Sequence, residues 1–242
     1  MNPQKGEIFC FNKPYTWTSF DLVSKVRGIL RHRTRNRKLK IGHAGTLDPL
    51  ATGVLLICSG KATKRIDELQ AGVKEYVATL KLGATTPSFD KESQEDATYP
   101  TDHITKEMVE EVLQQFVGTI EQVPPSFSAV RVNGKRAYQM ARRGQEVELK
   151  PKTLIIDEIE LMRCNLPSEI MIRVVCSKGT YIRALARDIG YALHSGAYLT
   201  DLCRTRVGSY RLSDCLDITK FDDWLNNQNI EIEDETTLRN KS

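Results

Sequence analysis

Apolar positions in this chain recur at two periods, and the switches between them mark out most of its elements. Residues 7–11 form a short strand-like run closed by the turn residues Asn12-Lys13-Pro14. Leu22, Val23, Val26, Ile29 and Leu30 then recur at helical spacing, with Ser19 as the predicted N-cap. The apolar run 54–58 reads as a strand ended by Ser59-Gly60, and 61–69 as a helix. Residues 74–82 alternate, with Tyr76, Ala78, Leu80 and Leu82 on one face and Val77, Thr79 and Lys81 on the other, which predicts a half-buried strand. A polar connection follows over 83–104. Thr105 then caps a helix with Met108, Val109, Val112, Leu113 and Phe116 on its apolar face and Gly118 at its end.

Beyond this helix, Val130 to Val132 and Asn133-Gly134 signal a hairpin or a tight strand exit. Two strands are predicted at about 153–163 and 169–177. Lys178-Gly179 breaks the second, and 180–194 reads as a helix bearing Ile182, Leu185, Ala186, Ile189 and Leu193. A β-rich stretch covers 197–212, a small helix closes around 222–225, and the last dozen residues are expected to be disordered. The expected organisation is a main domain over 1–212 and a short extension over 213–242.

Composition narrows the class. The 242 residues, 40% hydrophobic and 27% charged, suit a globular protein with a sizeable core. Nothing at the N-terminus resembles a signal peptide, and no apolar run approaches a membrane span, so no membrane partner is expected. The six cysteines form no C-x-x-C pair, and most sit in apolar runs and read as small buried hydrophobes, which fits a reducing cytoplasm. The four histidines show no metal spacing. A phosphate-binding P-loop fails, because Gly60-Lys61 is followed by Ala62 and the upstream glycine is misplaced. No metal or nucleotide cofactor is therefore expected.

Charge is placed unevenly although the net is only +4. Between Leu22 and Ile66 there are eleven Lys or Arg residues, Lys64 among them, and a single acid, Asp48. Six of those cations crowd into 31–40, which reads either as a solvated run or, favoured here, as a footprint for phosphates. Asp48 lies in GHAGTLDPLATG, where glycines and a proline preclude regular structure, so a tight loop presents it ahead of a core strand. Surrounding cations favour its charged form. An Asp before Pro also commonly starts a turn, and composition alone does not separate that role from catalysis. A second basic cluster, Arg131, Lys135, Arg136, Arg142 and Arg143, surrounds the aromatic Tyr138, a mixture that suits RNA.

The stretch GHAGTLDPLATGVLLICSGKATK resembles the signature of the TruB-type tRNA pseudouridine synthases, and the resemblance extends over about 7–208 through NKPYTWTS, the KEY strand, PPSFSAVRVNGKRAYQMARR, CSKGTYIRALARDIG and LCRTRVG. The resemblance implies a pseudouridine synthase fold, an α/β (α+β) arrangement with a mixed, largely antiparallel sheet flanked by helices and loops. It implies that Asp48 is catalytic, that Tyr76 stacks on the target base, and that Arg183 pairs with Asp48. Arg183 falls in the first turn of its helix, a poor place for a cation without a specific anionic partner. His43, Lys64, Tyr181 and Leu202 would contact the substrate, Leu202 by lining the base pocket, while Arg204 and Arg206 would extend the basic surface. The chain departs from the pattern at Thr16, where relatives usually carry Gly, and at Pro87, where they commonly carry Asp. Asp90 aligns with a family acid and reads equally as a solvated loop residue or as a support near the site.

The implied substrate is the uridine conventionally numbered 55 in the tRNA T loop. The implied catalyst is a monomer without the C-terminal PUA domain that many relatives carry. Two readings of other classes remain: an RNA-binding or tRNA-folding module, to which Asp48 would not matter, and an N-glycosidic hydrolase, which would release free uracil.

Overall fold

The computed structural model describes residues 1–128, 131–132, 134–141 and 149–231. Its elements run β1 (Ile8–Lys13), α1 (Ser19–Arg33), β2 (Ile41–Ala44), β3 (Ala51–Ser59), α2 (Ile66–Ala71) and β4 (Lys74–Leu82). There follow β5 (Ala84–Thr85), β6 (Ala97–Thr98), α3 (Lys106–Gln115), β7 (Gly118–Gln122), β8 (Arg131–Val132), β9 (Lys135–Arg136) and α4 (Ala137–Ala141). The last are β10 (Lys152–Asn165), β11 (Glu169–Cys176), α5 (Ile182–Ala192), β12 (Ala197–Val207), β13 (Tyr210–Arg211) and α6 (Phe221–Asn226). The chain divides into two compact units, one of 1–72 with 203–242 and one of 73–202.

In the first unit β3 is the central strand. Eight of its nine residues, all but Thr52, are buried, as the apolar run requires. It pairs antiparallel with β1, from Ile8↔Cys58 to Lys13↔Gly53, and with β2, from Ile41↔Ser59 to Ala44↔Leu56. β13 pairs antiparallel with the end of β12. Helix α1 buries Leu22, Val23, Val26 and Leu30, while Ile29 stays partly exposed. Its N-cap is Thr18, one residue earlier than expected: Thr18 and Asp21 form a reciprocal capping box. The Ser19 hydroxyl is engaged elsewhere, as described below. Helix α6 packs Phe221 edge-on against Phe9 and Phe11 of β1, with centroids at 5.5 and 4.9 Å.

The expected helix over 61–69 is two pieces, a 3₁₀ segment (Gly60–Arg65) followed by α2, with the Thr63 hydroxyl bonded to the carbonyl of Gly60 in the tight first turn. The basic run 31–40 is not one loop. Arg31 and Arg33 lie in the last turn of α1, Arg31 donates to the Leu39 carbonyl, and Arg33 pairs with Asp222 at 2.7 Å. Arg35, Arg37, Lys38 and Lys40 remain exposed.

In the second unit β4, β11, β10 and β7 pair antiparallel in that order, with the opening residues of β12 beside β4. Strand β4 has the bounds that its alternation predicts. Helix α3 is capped by the Thr105 hydroxyl and buries Val109, Val112 and Leu113, but it ends at Phe116; Gly118, at φ +99°, opens β7 instead. A short hairpin pairs β8 with β9. Asn133, Arg142, Arg143 and the terminal tail over 232–242 lie outside the described residues. The pairings of β1 and β2 with β3, of β4, β11, β10 and β7, of β5 with β6 and of β12 with β13 are antiparallel, and two isolated bridges, Phe11↔Leu216 and Asp90↔Leu199, are parallel. The expected α+β class with a largely antiparallel sheet is the one observed. All six cysteines are free thiols; Cys10, Cys58 and Cys176 are buried and the other three partly so.

Candidate active site

The loop that carries Asp48 is gripped on both sides of that residue, wholly within the first unit. Arg204, 2% exposed, donates from Nη2 to the Gly45 carbonyl (3.1 Å), from Nη1 to Thr46 (3.5 Å) and from Nε to Val54 (2.8 Å). Ser19 donates its hydroxyl to the Leu47 carbonyl (3.0 Å) and accepts from the Leu47 amide (2.9 Å). The Pro49 carbonyl accepts from the Thr16 amide (2.9 Å) and from the Lys13 ammonium (3.2 Å). The Asp48 carbonyl itself accepts from the Ala51 amide at 3.1 Å. The residues flanking Asp48 thus have their backbone groups fixed, and its half-buried side chain is presented from a rigid frame.

Two glycines make this frame possible. Gly53 sits at φ +103°, and a Cβ there would lie 2.2 Å from the backbone oxygen of Arg204. Gly45, at φ +93°, turns the chain beside the Arg204 guanidinium. Thr16 also adopts the left-handed region, at φ +69°. The turn for which the family resemblance implies Gly is therefore made here by a β-branched residue, at a backbone cost on the order of 1–3 kcal/mol.

Lys13 is fully buried, and its ammonium donates to three carbonyls, Trp17 (2.6 Å), Pro14 (2.8 Å) and Pro49 (3.2 Å). Burial pushes this amine down to about 8, and the charge of Asp48 pulls it back up. An ammonium has three N–H donors for three carbonyls, whereas the neutral amine has two. Activity is expected to fall as pH rises through about 8, as the clamp loses one bond and the cation near Asp48. Stability should not fall with it. The unfolded lysine titrates at about 10.4, so between about 8 and 10.4 the unfolded chain holds the extra proton, and this group makes stability rise with pH. A pH–rate profile beside a melting profile checks this; parallel losses of rate and stability above pH 8 would contradict it.

The remaining expected residues of the first unit lie near this frame in sequence. His43 is in β2, paired with Ile57 of β3. Burial lowers the affinity of its ring for a proton, and a hydrogen bond with the Gly45 backbone pulls it partly back up. Lys64 is exposed on the 3₁₀ segment. Arg204 does not extend the basic surface as the sequence suggests; its guanidinium is an internal brace.

The second unit holds the other expected residues. Tyr76 is 9% exposed in β4, opposite Val174 of β11. Leu202 is 7% exposed at the middle of β12. Arg183 is 5% exposed at the second position of α5 and does have a specific anionic partner there: its Nε lies 3.6 Å from Asp90 Oδ2. It also donates to the carbonyls of Ser88 (3.2 Å) and Phe127 (2.9 Å). Asp90 is not a solvated loop acid. It is 5% exposed and accepts from the Ser88 hydroxyl (2.6 Å) and the Glu92 amide (2.9 Å). Between Ser88 and Asp90, Phe89 sits at φ +61° with the Arg187 guanidinium 4.8 Å over its ring.

Tyr181 is the N-cap of α5, which starts two residues later than predicted because Thr180 and Tyr181 are held in extended or turn geometry. Gln122, 1% exposed in β7, clamps the Tyr181 backbone by donating to its carbonyl (3.2 Å) and accepting from its amide (2.9 Å). Gln122 carries no sequence signal of this role. A glutamine facing a backbone amide and carbonyl looks like any polar strand residue.

Residues 31–182 match the TruB family pseudouridylate synthase (N terminal domain), and residues 183–240 match the tRNA pseudouridylate synthase B C-terminal domain. The chain belongs to the TruB family. It is 66% identical to a tRNA pseudouridine synthase B of Phocaeicola vulgatus over 96% of this chain and 98% of that one. It is 64% identical to one of Bacteroides fragilis over 97% and 100%. Among solved structures, a chain of a Cbf5-Nop10-Gar1 complex matches with a TM-score of 0.70 and 28% identity, over 95% of this chain and 58% of that chain. The TruB match runs through β2 and β3, and so takes in the Asp48 loop and its glycines. Among the described residues no cluster of His, Cys, Asp or Glu could hold a metal ion, and no helix is long and apolar enough to cross a membrane.

Proposed function

We propose that this TruB-family chain is a tRNA pseudouridine synthase, an isomerase that converts uridine 55 of the T loop to pseudouridine. The observation that carries the reading is the Asp48 loop, braced by Lys13, Ser19 and Arg204 so that one carboxylate is presented in fixed geometry. The names of the bacterial relatives at 64–66% identity support the substrate.

The target uridine leaves the stacked loop at a cost of a few kcal/mol. The C1′–N1 bond breaks, the base turns, a C1′–C5 bond forms, and the C5 proton passes to solvent while N1 gains one. No electrons are gained or lost, so the isomerisation calls for no oxidant or reductant. Asp48 acts as nucleophile at C1′ or C6, or as base at C2′. Tyr76 stacks on the base and is a candidate to take the C5 proton. His43, Lys64, Tyr181 and Leu202 contact the RNA, and the pairing of Arg183 with Asp48 rests on the family resemblance. The working protein is a cytoplasmic monomer with its catalytic part in 1–212 and an extension over 213–242.

The test is a T-loop transcript tritiated at uridine C5, with EDTA present. Tritium release without free uracil is the expected result. Free uracil would make the chain a hydrolase, and bound RNA without release would make it a binding module.

A further inference from the structure

Phe20 is 64% exposed, more than any other large hydrophobic residue described in this chain. A single exposed apolar side chain is ordinary, but two features set this one apart. It follows directly on Ser19, whose hydroxyl holds the amide and carbonyl of Leu47, the residue before Asp48. The position of Phe20 is therefore tied to the Asp48 loop by a buried pair of hydrogen bonds. Its ring also already carries a cation: the Arg27 guanidinium, one turn pair along α1, lies 5.8 Å from the ring centroid. One face of the ring is thus occupied by a planar cation, and the residue as a whole stays largely open to solvent. The approach to α1 is equally exposed, with Tyr15 at 46% and Thr16 in a strained left-handed turn.

We propose that Phe20, backed by Arg27, is a stacking platform for an unpaired nucleobase of the RNA substrate, separate from the site that receives the flipped uridine. The inference rests on the reading of the chain as an RNA-modifying enzyme and adds a second base subsite to it. The occupant is a base because the platform combines an open aromatic face with adjoining positive charge, the pairing by which single-stranded RNA is held without sequence readout. Ser19, next to Phe20, ties this end of α1 to the loop that presents Asp48, and Arg27 beside the ring and the exposed Lys25 on the same helix supply cations for the flanking phosphates. Structural duty does not explain the ring. α1 buries its opposite face, through Leu22, Val23, Val26 and Leu30, and its capping box uses Thr18 and Asp21.

The test is equilibrium binding of a tRNA transcript to wild type, Phe20→Ala and Phe20→Trp across a salt series, with tritium release by wild type measured alongside. Phe20→Ala is expected to weaken binding about tenfold, the loss of one base–aromatic stack. The slope of log K against log salt should stay unchanged, because no phosphate contact is lost. Phe20→Trp should restore affinity. Affinity unchanged in Phe20→Ala would overturn the platform, as would a loss that Phe20→Trp does not restore or one that flattens the salt slope. In each of those cases wild type still releases tritium, so the enzyme reading survives; if wild type neither binds nor releases tritium, both readings fail together.

Discussion

Asp48→Asn is expected to lower the rate of tritium release by about 10⁴-fold or more, the scale for removing a nucleophile or an essential base, while tRNA is still bound. The amide has the size of the carboxylate and leaves the backbone alone. Its neighbours Leu47 and Pro49 stay tied to Ser19, Lys13 and Thr16, so melting temperature should not move by more than about 1 °C. Affinity for tRNA should hold or rise slightly, since one negative charge leaves a basic field. Asp48→Glu is the sharper variant. It keeps the charge but pushes it out by one methylene from a frame that cannot recoil, and misplacement on the order of 1 Å costs about 100-fold. Near-wild-type release from Asp48→Asn would remove the loop from catalysis and return the chain to a binding role.

Much of this was legible in the residue pattern because local physics dictated it. Strand β4 alternates so cleanly that its bounds follow from the letters. Strand β3 is an apolar run between turn residues, and α3 announces itself with Thr105 at its N-cap. The misses share a cause. Thr18 and Ser19 are both good caps, and the choice falls on Thr18 because Ser19 has a partner, Leu47, twenty-eight residues away. The helix expected from Thr180 begins only at Ile182 because Gln122, on another strand, holds the Tyr181 backbone. Such partners are main-chain groups, which every residue has, so they leave no mark in the sequence.

The site shows the same division. Asp48 stands out as the one acid among eleven cations, and the need of Arg183 for an anionic partner follows from its place at a helix N-terminus. Neither burial nor bracing can be read this way. Asp90 sits in a polar stretch and looks solvated, yet it is buried against Arg183. Arg204 sits in RTR and looks like surface charge. In both cases the decisive fact is the distance to another part of the chain.

Arg204 gives the clearest measurement of that difference. Arg204→Met keeps much of the aliphatic volume but strands the carbonyls of Val54, Gly45 and Thr46, which have a charged donor in the native fold. Bonds to buried charged donors are worth about 1.5–3 kcal/mol each and do not add fully, so a loss on the order of 3–5 kcal/mol is expected. At about 2–4 °C per kcal/mol for a chain of this length, the melting temperature should drop by about 10 °C. Release of tritium should fall further than the unfolded fraction explains, because Gly45 and Thr46 lead into Asp48. Lys38→Met, at an exposed position of the same basic segment, should leave stability within about 0.5 kcal/mol. The alternative, that Arg204 binds phosphate, makes the opposite prediction: an unmoved melting temperature and a salt slope of tRNA binding reduced by about one. The two outcomes cannot coincide, since a guanidinium spent on three internal carbonyls has no face left for RNA, and one held out to RNA would leave the Asp48 loop unbraced.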